Sequence, residues 1–430
     1  MFRMKRKLTK LSLMGETIRI GLVGAGKMGT GLIHQMSRIN GMRPAIIVDE
    51  VLDKAMNALI SAGVSKEDIV ATSSYHEAEL ALSKDQFVIT DDYTLGYRLP
   101  QIKGMVDATG NPPFGAIMAL ESLEHQKHVI MLNVECDAVV GPILNMIAKE
   151  NKVVYTGSAG DEPGAILELA DFALSLGFEL LAVGKGKNNP LDHYVSEEDV
   201  REEALSKGLY PKILASFIDG TNTMIELNSV ANALGFVPDI PGCHGVTTNP
   251  KQIADLFTLK SQGGILNRYG IVDFAFGMAP GVFAIVTSDA QEVVELMRYL
   301  KMGDGPNYSL YRPYHLTSLE TPITIYDAIV DGEPTIVPQH GQVADVVAIA
   351  KRDLKAGETL GGIGTNCVFG RLIEHEIQQA HNYLPICLIG KKTKLLMDVP
   401  KDGILTYDMV ELDAGATIVE LRRRQDELGL

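Results

Sequence analysis

Gly24-Ala25-Gly26-Lys27-Met28-Gly29 is the stretch of sequence that decides the fold, because it joins an apolar run to a helical pattern. The apolar run, residues 18–23, predicts a buried strand, and residues 32–39 carry apolar side chains at helical spacing. In such a turn the first glycine permits a tight bend, the second lets a pyrophosphate approach the backbone, and the third lets helix and strand pack closely. The sequence therefore predicts a strand–loop–helix unit that binds a dinucleotide. The predicted cofactor-binding residues of this loop are Gly24, Gly26, Lys27, Met28 and Gly29.

An acidic residue follows the second predicted strand. That strand, residues 45–48, ends at Asp49, which lies 25 positions after Gly24. An acid near this spacing accepts a hydrogen bond from a ribose 2′-hydroxyl and disfavours a 2′-phosphate. Asp49 is therefore a further predicted cofactor-binding residue, and it favours NAD over NADP. The alternative is a glycine-rich turn that binds no ligand.

The composition excludes several classes of function. The chain has 430 residues and 46% hydrophobic content, which is enough for two or three domains. Its net charge of −15 argues against binding to nucleic acid or to an anionic membrane. The four cysteines form no CxxC pair, which favours reduced thiols over a zinc ribbon or a disulfide framework.

The start of the chain is basic, with Lys5-Arg6-Lys7, but no continuous apolar segment follows it. No run in the sequence reaches the ~18 apolar residues that a membrane helix requires. We therefore expect a cytoplasmic protein in which a short basic helix precedes the first strand.

Short β-rich runs alternate with helical patterns as far as residue 156. This alternation predicts an α/β fold, with an N-terminal Rossmann domain built on a doubly wound parallel sheet at residues 1–156. Residues 157–335 are less regular and predict an α+β domain for catalysis and dimerisation. Residues 336–430 consist of short β-runs and turns, which predict a small β-rich domain.

Two polar turns follow predicted strands of the Rossmann sheet. They contain Thr109 and Gly110 in one turn and Asn133 and Glu135 in the other. Ligands of open α/β sheets bind at the carboxyl ends of the strands, so these residues are candidates for cofactor binding. The alternative is that they cap the helices that follow.

A string with two lysines, Gly184-Lys185-Gly186-Lys187-Asn188-Asn189-Pro190, follows the predicted strand at residues 180–183. Lys185 and Lys187 share a face if the segment is extended, so each is expected to depress the pKa of the other. A lysine with a lowered pKa is suited to donate a proton to a substrate carbonyl. We therefore predict Lys185 or Lys187 as the proton donor, with Asn188 and Asn189 orienting substrate oxygens. The alternative is a solvated basic turn.

Carboxylates precede two of the predicted helices. Asp161 and Glu162 stand before one helix, and Asp219 stands before another that contains Glu226. Asp161 and Asp219 are predicted site residues, because hard oxygen ligands suit Mg²⁺ or Mn²⁺. The alternative is helix capping, which also favours acids at these positions. No HxH or HExxH spacing occurs, so the sequence does not predict a zinc site.

Three parts of the chain carry a resemblance to one family. Residues 106–112 with 128–135 resemble the nucleotide-binding domain of homoserine dehydrogenases. Residues 303–316 (Gly-Asp-Gly-Pro-Asn-Tyr-Ser-Leu-Tyr-Arg-Pro-Tyr-His-Leu) are similar to a hallmark of homoserine-dehydrogenase-like oxidoreductases with a C-terminal SAF domain. Residues 346–358 and 401–406 resemble that SAF domain. Glu135 and Cys136 stand where homoserine dehydrogenases normally carry a lysine, which argues against homoserine as the substrate.

The resemblance implies an NAD(P)-dependent oxidoreductase that acts on a CH–OH group and forms a homodimer. The most similar member type is a reductoisomerase-like enzyme of isoprenoid precursor synthesis. It converts 1-deoxy-D-xylulose 5-phosphate to 2-C-methyl-D-erythritol 4-phosphate with NADPH and a divalent metal. The alternatives are an NAD-dependent oxidoisomerase or dehydrogenase of a branched sugar acid such as apionate, and a homoserine-dehydrogenase-like enzyme with another substrate. A different class, a protein that senses a nucleotide or a sugar without catalysis, also fits the sequence.

Overall fold

The structure, a computed structural model, describes residues 3–430 and consists of two compact units. The first unit comprises the residues up to Asp161 together with Leu316–Val337. The second comprises Glu162–His315 together with Pro338–Leu430. In the expected three-part division residues 336–430 stand alone, whereas here nearly all of them group with the central residues.

The first unit contains a seven-stranded sheet with the strand order β3-β4-β2-β1-β5-β6-β7, in which every pairing is parallel. Helices connect most of the consecutive strands, so the predicted doubly wound Rossmann fold is confirmed. The strands are β1 (Ile18–Val23), β2 (Met42–Val48), β3 (Ile69–Ala71), β4 (Phe87–Thr90), β5 (Gly104–Asp107), β6 (His128–Met131) and β7 (Tyr155–Gly157). The helices are α1 (Arg3–Leu13), α2 (Lys27–Met36), α3 (Leu52–Ser61), α4 (Tyr75–Ser83), α5 (Thr94–Arg98), α6 (Pro112–Glu124) and α7 (Val134–Glu150).

The core of the first unit forms where β1 and α2 meet. Ile20 and Leu22 of β1 and Leu32 and Ile33 of α2 are fully buried. Alternate residues of β1 and the i, i+3, i+4 positions of α2 therefore supply the same core, as the sequence pattern predicts. The predicted basic leading helix is α1, which packs Leu8 into this core.

The second unit begins with a six-stranded mixed sheet with the strand order β10-β11-β8-β12-β13, in which β9 also pairs with β11. Strands β8 and β11 are parallel, whereas β12 is antiparallel to both β8 and β13. Its strands are β8 (Glu179–Lys187), β9 (Val237–Pro238), β10 (Val246–Thr247), β11 (Ile271–Phe276), β12 (Val282–Thr287) and β13 (Asn307–Arg312). Its helices are α8 (Glu162–Ser175), α9 (Arg201–Ser206), α10 (Pro211–Asp219), α11 (Thr221–Leu234), α12 (Ile253–Leu256) and α13 (Gln291–Tyr299). A further short helix, α14 (Thr321–Tyr326), lies in the first unit.

The C-terminal part of the second unit contains two antiparallel hairpins. One hairpin packs against α11 and thereby joins the central residues. The elements are β14 (Ala344–Ala350), β15 (Val368–Glu374), α15 (His375–Ala380), β16 (Lys394–Leu395), β17 (Val410–Glu411) and α16 (Thr417–Leu428). A single 3₁₀ turn, Ile386–Leu388, lies between α15 and β16.

Two features bear on the expected cellular setting. The four cysteines form no disulfide, as predicted, and all of them are buried. Among residues 3–430, no helix combines the length and the apolar character needed to cross a membrane.

Gly29 and Gly26 provide a matched test of the glycine loop. A Cβ at Gly29 would lie 1.8 Å from the carbonyl oxygen of Gly24, whereas a Cβ at Gly26 meets no atom within 4 Å. We expect Gly29→Ala to lower the free energy of unfolding by at least about 2 kcal/mol, because the helix must move away from the loop. Gly26→Ala, the control, is expected to change it by less than about 0.5 kcal/mol. Urea unfolding followed by circular dichroism measures both, and equal losses would contradict this account of the loop.

Candidate functional site

The glycine loop of the first unit leaves the N-terminus of α2 open. Gly24 has φ +97°, and a Cβ there would lie 2.8 Å from the carbonyl oxygen of Ala108, so this position requires glycine. Gly26 is the N-cap of α2 and provides no side-chain cap, which leaves the first backbone N–H groups available to an anion. Lys27 and Met28, the first residues of α2, are exposed beside it. The loop therefore has the form that a pyrophosphate requires.

Asp49 holds this loop in place. One carboxylate oxygen accepts a hydrogen bond from the backbone N–H of Ala25 at 2.8 Å, and the other accepts one from Val51 at 2.9 Å. The carboxylate is thus fixed beside the loop and keeps lone pairs free for further donors. This position agrees with the predicted role at a ribose hydroxyl, which stays a prediction.

The two predicted polar turns meet on one buried carboxylate, that of Asp107 at the end of β5. Its Oδ1 accepts hydrogen bonds from the backbone and hydroxyl of Thr109 at 2.9 and 2.6 Å, and its Oδ2 accepts one from the Asn133 amide at 2.9 Å. Asn133 also caps α7. Asn133 therefore both caps a helix and lies at the carboxyl edge of the sheet. Asp107 was not among the residues predicted from the sequence, although an acid at a strand end beside two candidate turns was a usable signal.

Gly110 and Glu135 stand at the same edge. Gly110 adopts φ +59° in the turn after β5, and Glu135 lies in the first turn of α7. Burial, with a smaller contribution from the charge of Asp107, raises the pKa of Glu135 to about 7. Thr109, Gly110, Asn133 and Glu135 are thus together at the carboxyl end of the parallel sheet, where such folds bind ligands.

In the second unit, the lysine string begins inside a strand. It is not a turn that follows the strand. Strand β8 continues through Lys187, and both Lys185 and Lys187 are buried. The expected strand, residues 180–183, was too short because two lysines do not look like strand interior in the sequence. Both ammonium groups have hydrogen-bond acceptors on other elements, carboxylates for Lys185 and a backbone carbonyl for Lys187. Asn188 and Asn189 follow the strand as exposed and half-buried residues, and their predicted role stays a prediction.

Lys185 lies between two carboxylates. Its ammonium donates a hydrogen bond to Glu162 at 2.7 Å and another to Glu226, and Asn222 donates to the second oxygen of Glu226 at 2.6 Å. His315 Nε2 lies 3.4 Å from Glu162. Asp161, directly before Glu162 in the chain, adds a carboxylate, so that oxygens of Asp161, Glu162 and Glu226 lie within 4.8 Å of one another. We call Asp161, Glu162, Glu226 and Lys185 the carboxylate–lysine cluster.

The two glutamates of this cluster have pKa values that are shifted in opposite directions. Burial raises the pKa of Glu226, and the charge of Glu162 raises it further, to about 8. Burial also acts on Glu162, but the charges of Lys185 and His315 outweigh it and lower the pKa of Glu162 to about 2. Burial would lower the pKa of Lys185, but the two carboxylates raise it well above its usual value. The expectation that each lysine depresses the pKa of the other is therefore wrong for Lys185, because its own ion pairs dominate.

Lys187 has the opposite environment. Its ammonium donates a hydrogen bond to the carbonyl oxygen of Phe217 at 2.5 Å. Burial and the charge of Lys185 lower its pKa to about 8, against smaller opposing effects of Glu226 and Asp219. Of the two predicted proton donors, Lys187 is thus the one that can gain and lose a proton near neutral pH.

Asp219 is the last residue of α10, and one of its carboxylate oxygens accepts a hydrogen bond from the N–H of Thr221, the first residue of α11, at 2.8 Å, although the N-cap of α11 is Gly220. Its other carboxylate oxygen accepts one from Lys351 at 2.7 Å, and it belongs to no acidic cluster that could hold a metal within residues 3–430. Glu226, and not Asp219, is the acidic residue of the second helix that lies beside Glu162. The spacing of Asn222 and Glu226 on one helix was the sequence signal that could have identified Glu226. Nothing in the sequence pointed to Lys351.

Comparison with known proteins identifies the central segment. Residues 160–321 match the family model described as the catalytic domain of the oxidoreductase DRL. This segment contains the whole carboxylate–lysine cluster and Lys187, and the match confirms the expectation of an oxidoreductase. It does not extend to residues 336–430, so the SAF-like domain stays a prediction. No curated protein gives a significant match to the chain.

Several solved structures are similar to the chain at low identity. One is a probable dehydrogenase from Thermotoga maritima, with 14% identity, a TM-score of 0.42, and coverage of 74% of this chain and 90% of that one. A scyllo-inositol dehydrogenase from Lactobacillus casei, determined with NAD(H) and scyllo-inositol, gives 12% identity, a TM-score of 0.39, and coverage of 69% and 76%. A 3-ketoreductase from Actinomadura kijaniata, in complex with NADP, gives 12% identity, a TM-score of 0.36, and coverage of 74% and 91%.

Lys185→Met tests the balance of charge in the cluster. The substitution leaves buried carboxylates without their cation, so we expect a loss of about 3–5 kcal/mol in the free energy of unfolding. Lys207→Met is the control, because Lys207 pairs with Glu203 on the surface, where both side chains are about half exposed. Loss of that pair is expected to cost less than about 0.5 kcal/mol. Similar midpoints for the two variants in urea unfolding would show that the cluster is not held by its charges.

Proposed function

We propose that the protein is an NAD(P)-dependent oxidoreductase that interconverts a CH–OH group and a carbonyl on a small hydroxylated substrate, with Lys187 as the proton donor and acceptor. One observation carries the proposal: a buried lysine with a pKa near 8 stands beside the carboxylate–lysine cluster, within the segment that matches an oxidoreductase catalytic domain. The nucleotide-binding fold of the first unit supports the choice of cofactor.

The nicotinamide supplies or accepts the hydride when it is bound. Gly24 and Gly26 would admit the pyrophosphate, and the N-terminus of α2 would stabilise its charge. Asp49, fixed by its bonds to Ala25 and Val51, would accept a hydrogen bond from the ribose and favour NAD. The edge residues Thr109 and Asn133 are suited to border the nicotinamide side of the same cofactor.

The two lysines would then have separate tasks. Lys187 would donate a proton to the substrate oxygen during reduction and accept it during oxidation. Lys185, whose hydrogen bonds go to Glu162 and Glu226, would keep its charge throughout and hold these two carboxylates in place. This division replaces the idea that either lysine serves as the donor.

A divalent metal fits the oxygen atoms of the cluster. Asp161, Glu162 and Glu226 offer hard carboxylate ligands within 4.8 Å of one another, the type of ligand that Mg²⁺ and Mn²⁺ prefer. When bound, such a metal would polarise a carbonyl or hydroxyl oxygen of the substrate. The ammonium of Lys185 contacts two of these carboxylates, so a metal ion and the ammonium would compete for the same carboxylate groups.

Two more specific reactions are compatible with this proposal. A reductoisomerase-like reaction on 1-deoxy-D-xylulose 5-phosphate is supported by the carboxylates, which suit a metal that holds adjacent substrate oxygens. Oxidation of a branched sugar acid such as apionate is supported by Asp49, which favours NAD. Lys185 is already paired with Glu162 and Glu226, so it is poorly suited to bind a substrate phosphate as well. We therefore give the uncharged or carboxylated sugar substrates more weight than the sugar phosphate.

A substrate panel tests the proposal. We expect turnover, followed by nicotinamide absorbance, with a branched aldonate or a related polyol, faster with NAD than with NADP at equal concentration. EDTA is expected to reduce the rate at least tenfold, and added Mn²⁺ to restore it. Gly26→Val is the control, because its side chain would occupy the space of the pyrophosphate and abolish turnover without loss of folding. Tight nucleotide binding without turnover on any substrate would instead favour a sensor.

Lys187→Met tests the proposed proton transfer. We expect kcat to fall by about 10²–10⁴-fold, with nucleotide affinity changed by no more than a few-fold. In the wild type, reduction requires the protonated lysine, so its rate is expected to fall as pH rises through about 8, and the rate of oxidation to rise there. Lys207→Met should keep both the rate and the profile. A Lys187→Met enzyme with full activity, or the same inflection in its pH profile, would remove Lys187 from the reaction.

A further inference from the structure

Lys351 stands at the end of β14 with its ammonium almost wholly buried. It donates three hydrogen bonds: to the carbonyl oxygen of Val195 at 2.6 Å, to Asp219 Oδ2 at 2.7 Å and to the carbonyl oxygen of Thr365 at 2.8 Å. An ammonium has three N–H donors, so none is left for a substrate. Lys351 therefore acts on its surroundings and not on the reaction directly.

Asp219 is the charged partner of Lys351. Its side chain is fully buried, and its remaining carboxylate oxygen accepts a hydrogen bond from the N–H of Thr221 at 2.8 Å. Its carbonyl oxygen lies 2.8 Å from Nδ1 of His193. Burial raises the pKa of Asp219, and the charge of Lys351 opposes this effect. Lys351 thus favours the ionised form of a carboxylate that would otherwise take up a proton.

Lys187 contacts the end of α10 that carries Asp219. The carbonyl oxygen that accepts the hydrogen bond of Lys187 belongs to Phe217, two residues before Asp219. Three charged groups influence the Lys187 ammonium: Lys185 on its own strand, Glu226 on α11 and Asp219 on α10. Lys185 favours the neutral amine, whereas Glu226 and Asp219 favour the ammonium.

We propose that Lys351 is a positioning residue for Lys187: by holding Asp219 ionised and the end of α10 in place, it sets the charge that Lys187 experiences. The proposal rests on the proposed function in giving Lys187 the proton transfer. It makes residues 338–430 part of the catalytic machinery, since β14 lies in that segment of the second unit.

The consequence has a definite sign. Without the Lys351 ammonium, Asp219 is a buried carboxylate with no cation, and it is expected to become protonated. A neutral Asp219 no longer favours the Lys187 ammonium, so the pKa of Lys187 should fall further below its value of about 8. A role confined to packing would lower stability and leave that pKa unchanged.

The test is a carbon-13 NMR titration of the lysine ε-methylene groups in the full chain, with Lys187→Met used to assign the Lys187 signal. We expect the pKa of Lys187 to fall, by up to about one unit, in Lys351→Met and by a similar amount in Asp219→Asn. The double variant should show no more than the Asp219→Asn shift, because Lys351 acts through Asp219. Lys207→Met, on the surface, should leave the titration unchanged.

An unshifted Lys187 titration in folded Lys351→Met and Asp219→Asn would overturn the proposal and leave Lys351 with a structural role alone. Where Lys351→Met does not fold, the double variant, which leaves no unpaired charge, carries the same test. The titration needs no substrate, so its outcome is separate from that of the proposed function. Absence of turnover in the substrate panel would count against the function, and an unshifted titration against Lys351.

Discussion

An ammonium group in a protein interior needs opposite charge and hydrogen-bond acceptors close to it, because desolvation otherwise costs several kcal/mol. The arrangement around Lys185 meets this need. Glu162 at the start of α8 and Glu226 in the middle of α11 both accept its hydrogen bonds, so one strand and two helices are tied at a single point. The geometry of the candidate site follows in part from this constraint, since α11, which carries Glu226, also contributes charge near Lys187, whereas α10 provides the hydrogen-bond acceptor of Lys187.

Two lysines on one face of one strand thus acquire different chemistry. Lys185 is held charged by its carboxylates, whereas Lys187 has a backbone carbonyl as its hydrogen-bond partner and is destabilised as an ammonium by burial and by Lys185. A fixed charge beside a group that titrates near neutral pH is a useful pair for moving a proton while charge develops on a substrate oxygen. The C-terminal segment adds a second buried pair, Lys351 with Asp219, at the end of α10.

The glycine loop of the first unit has a different origin. Gly24 and Gly29 are required by local geometry, the first by a left-handed turn and the second by close contact between the helix and the loop, whereas Gly26 leaves the helix end open. Such requirements act over a few residues and leave a recognisable pattern. The loop was therefore found in the sequence with its strand and its helix, and the parallel sheet around it was predicted from the alternation of elements, whereas its strand order comes from the structure.

The candidate site was predicted less completely, for reasons that particular residues make clear. The sequence showed Lys185 and Lys187 as an unusual string and Asp161 and Glu162 as paired acids, but it placed the lysines after the strand and gave them equal roles. Asp219 was chosen over Glu226, because an acid before a helix is more conspicuous than one inside it. Lys351 was not singled out at all, since it follows Asp219 by more than 130 positions.

By itself, the sequence determined the Rossmann unit and the position of its glycine loop, because backbone sterics and hydrophobic periodicity are properties of neighbouring residues. It also determined which residue types are available for proton transfer and for holding a metal. Only the tertiary structure decided which lysine keeps its proton, which carboxylate joins the cluster, and that β14 reaches Asp219. Those outcomes depend on burial and on charges from distant parts of the chain, and the free energy of a charge is set by its surroundings in space.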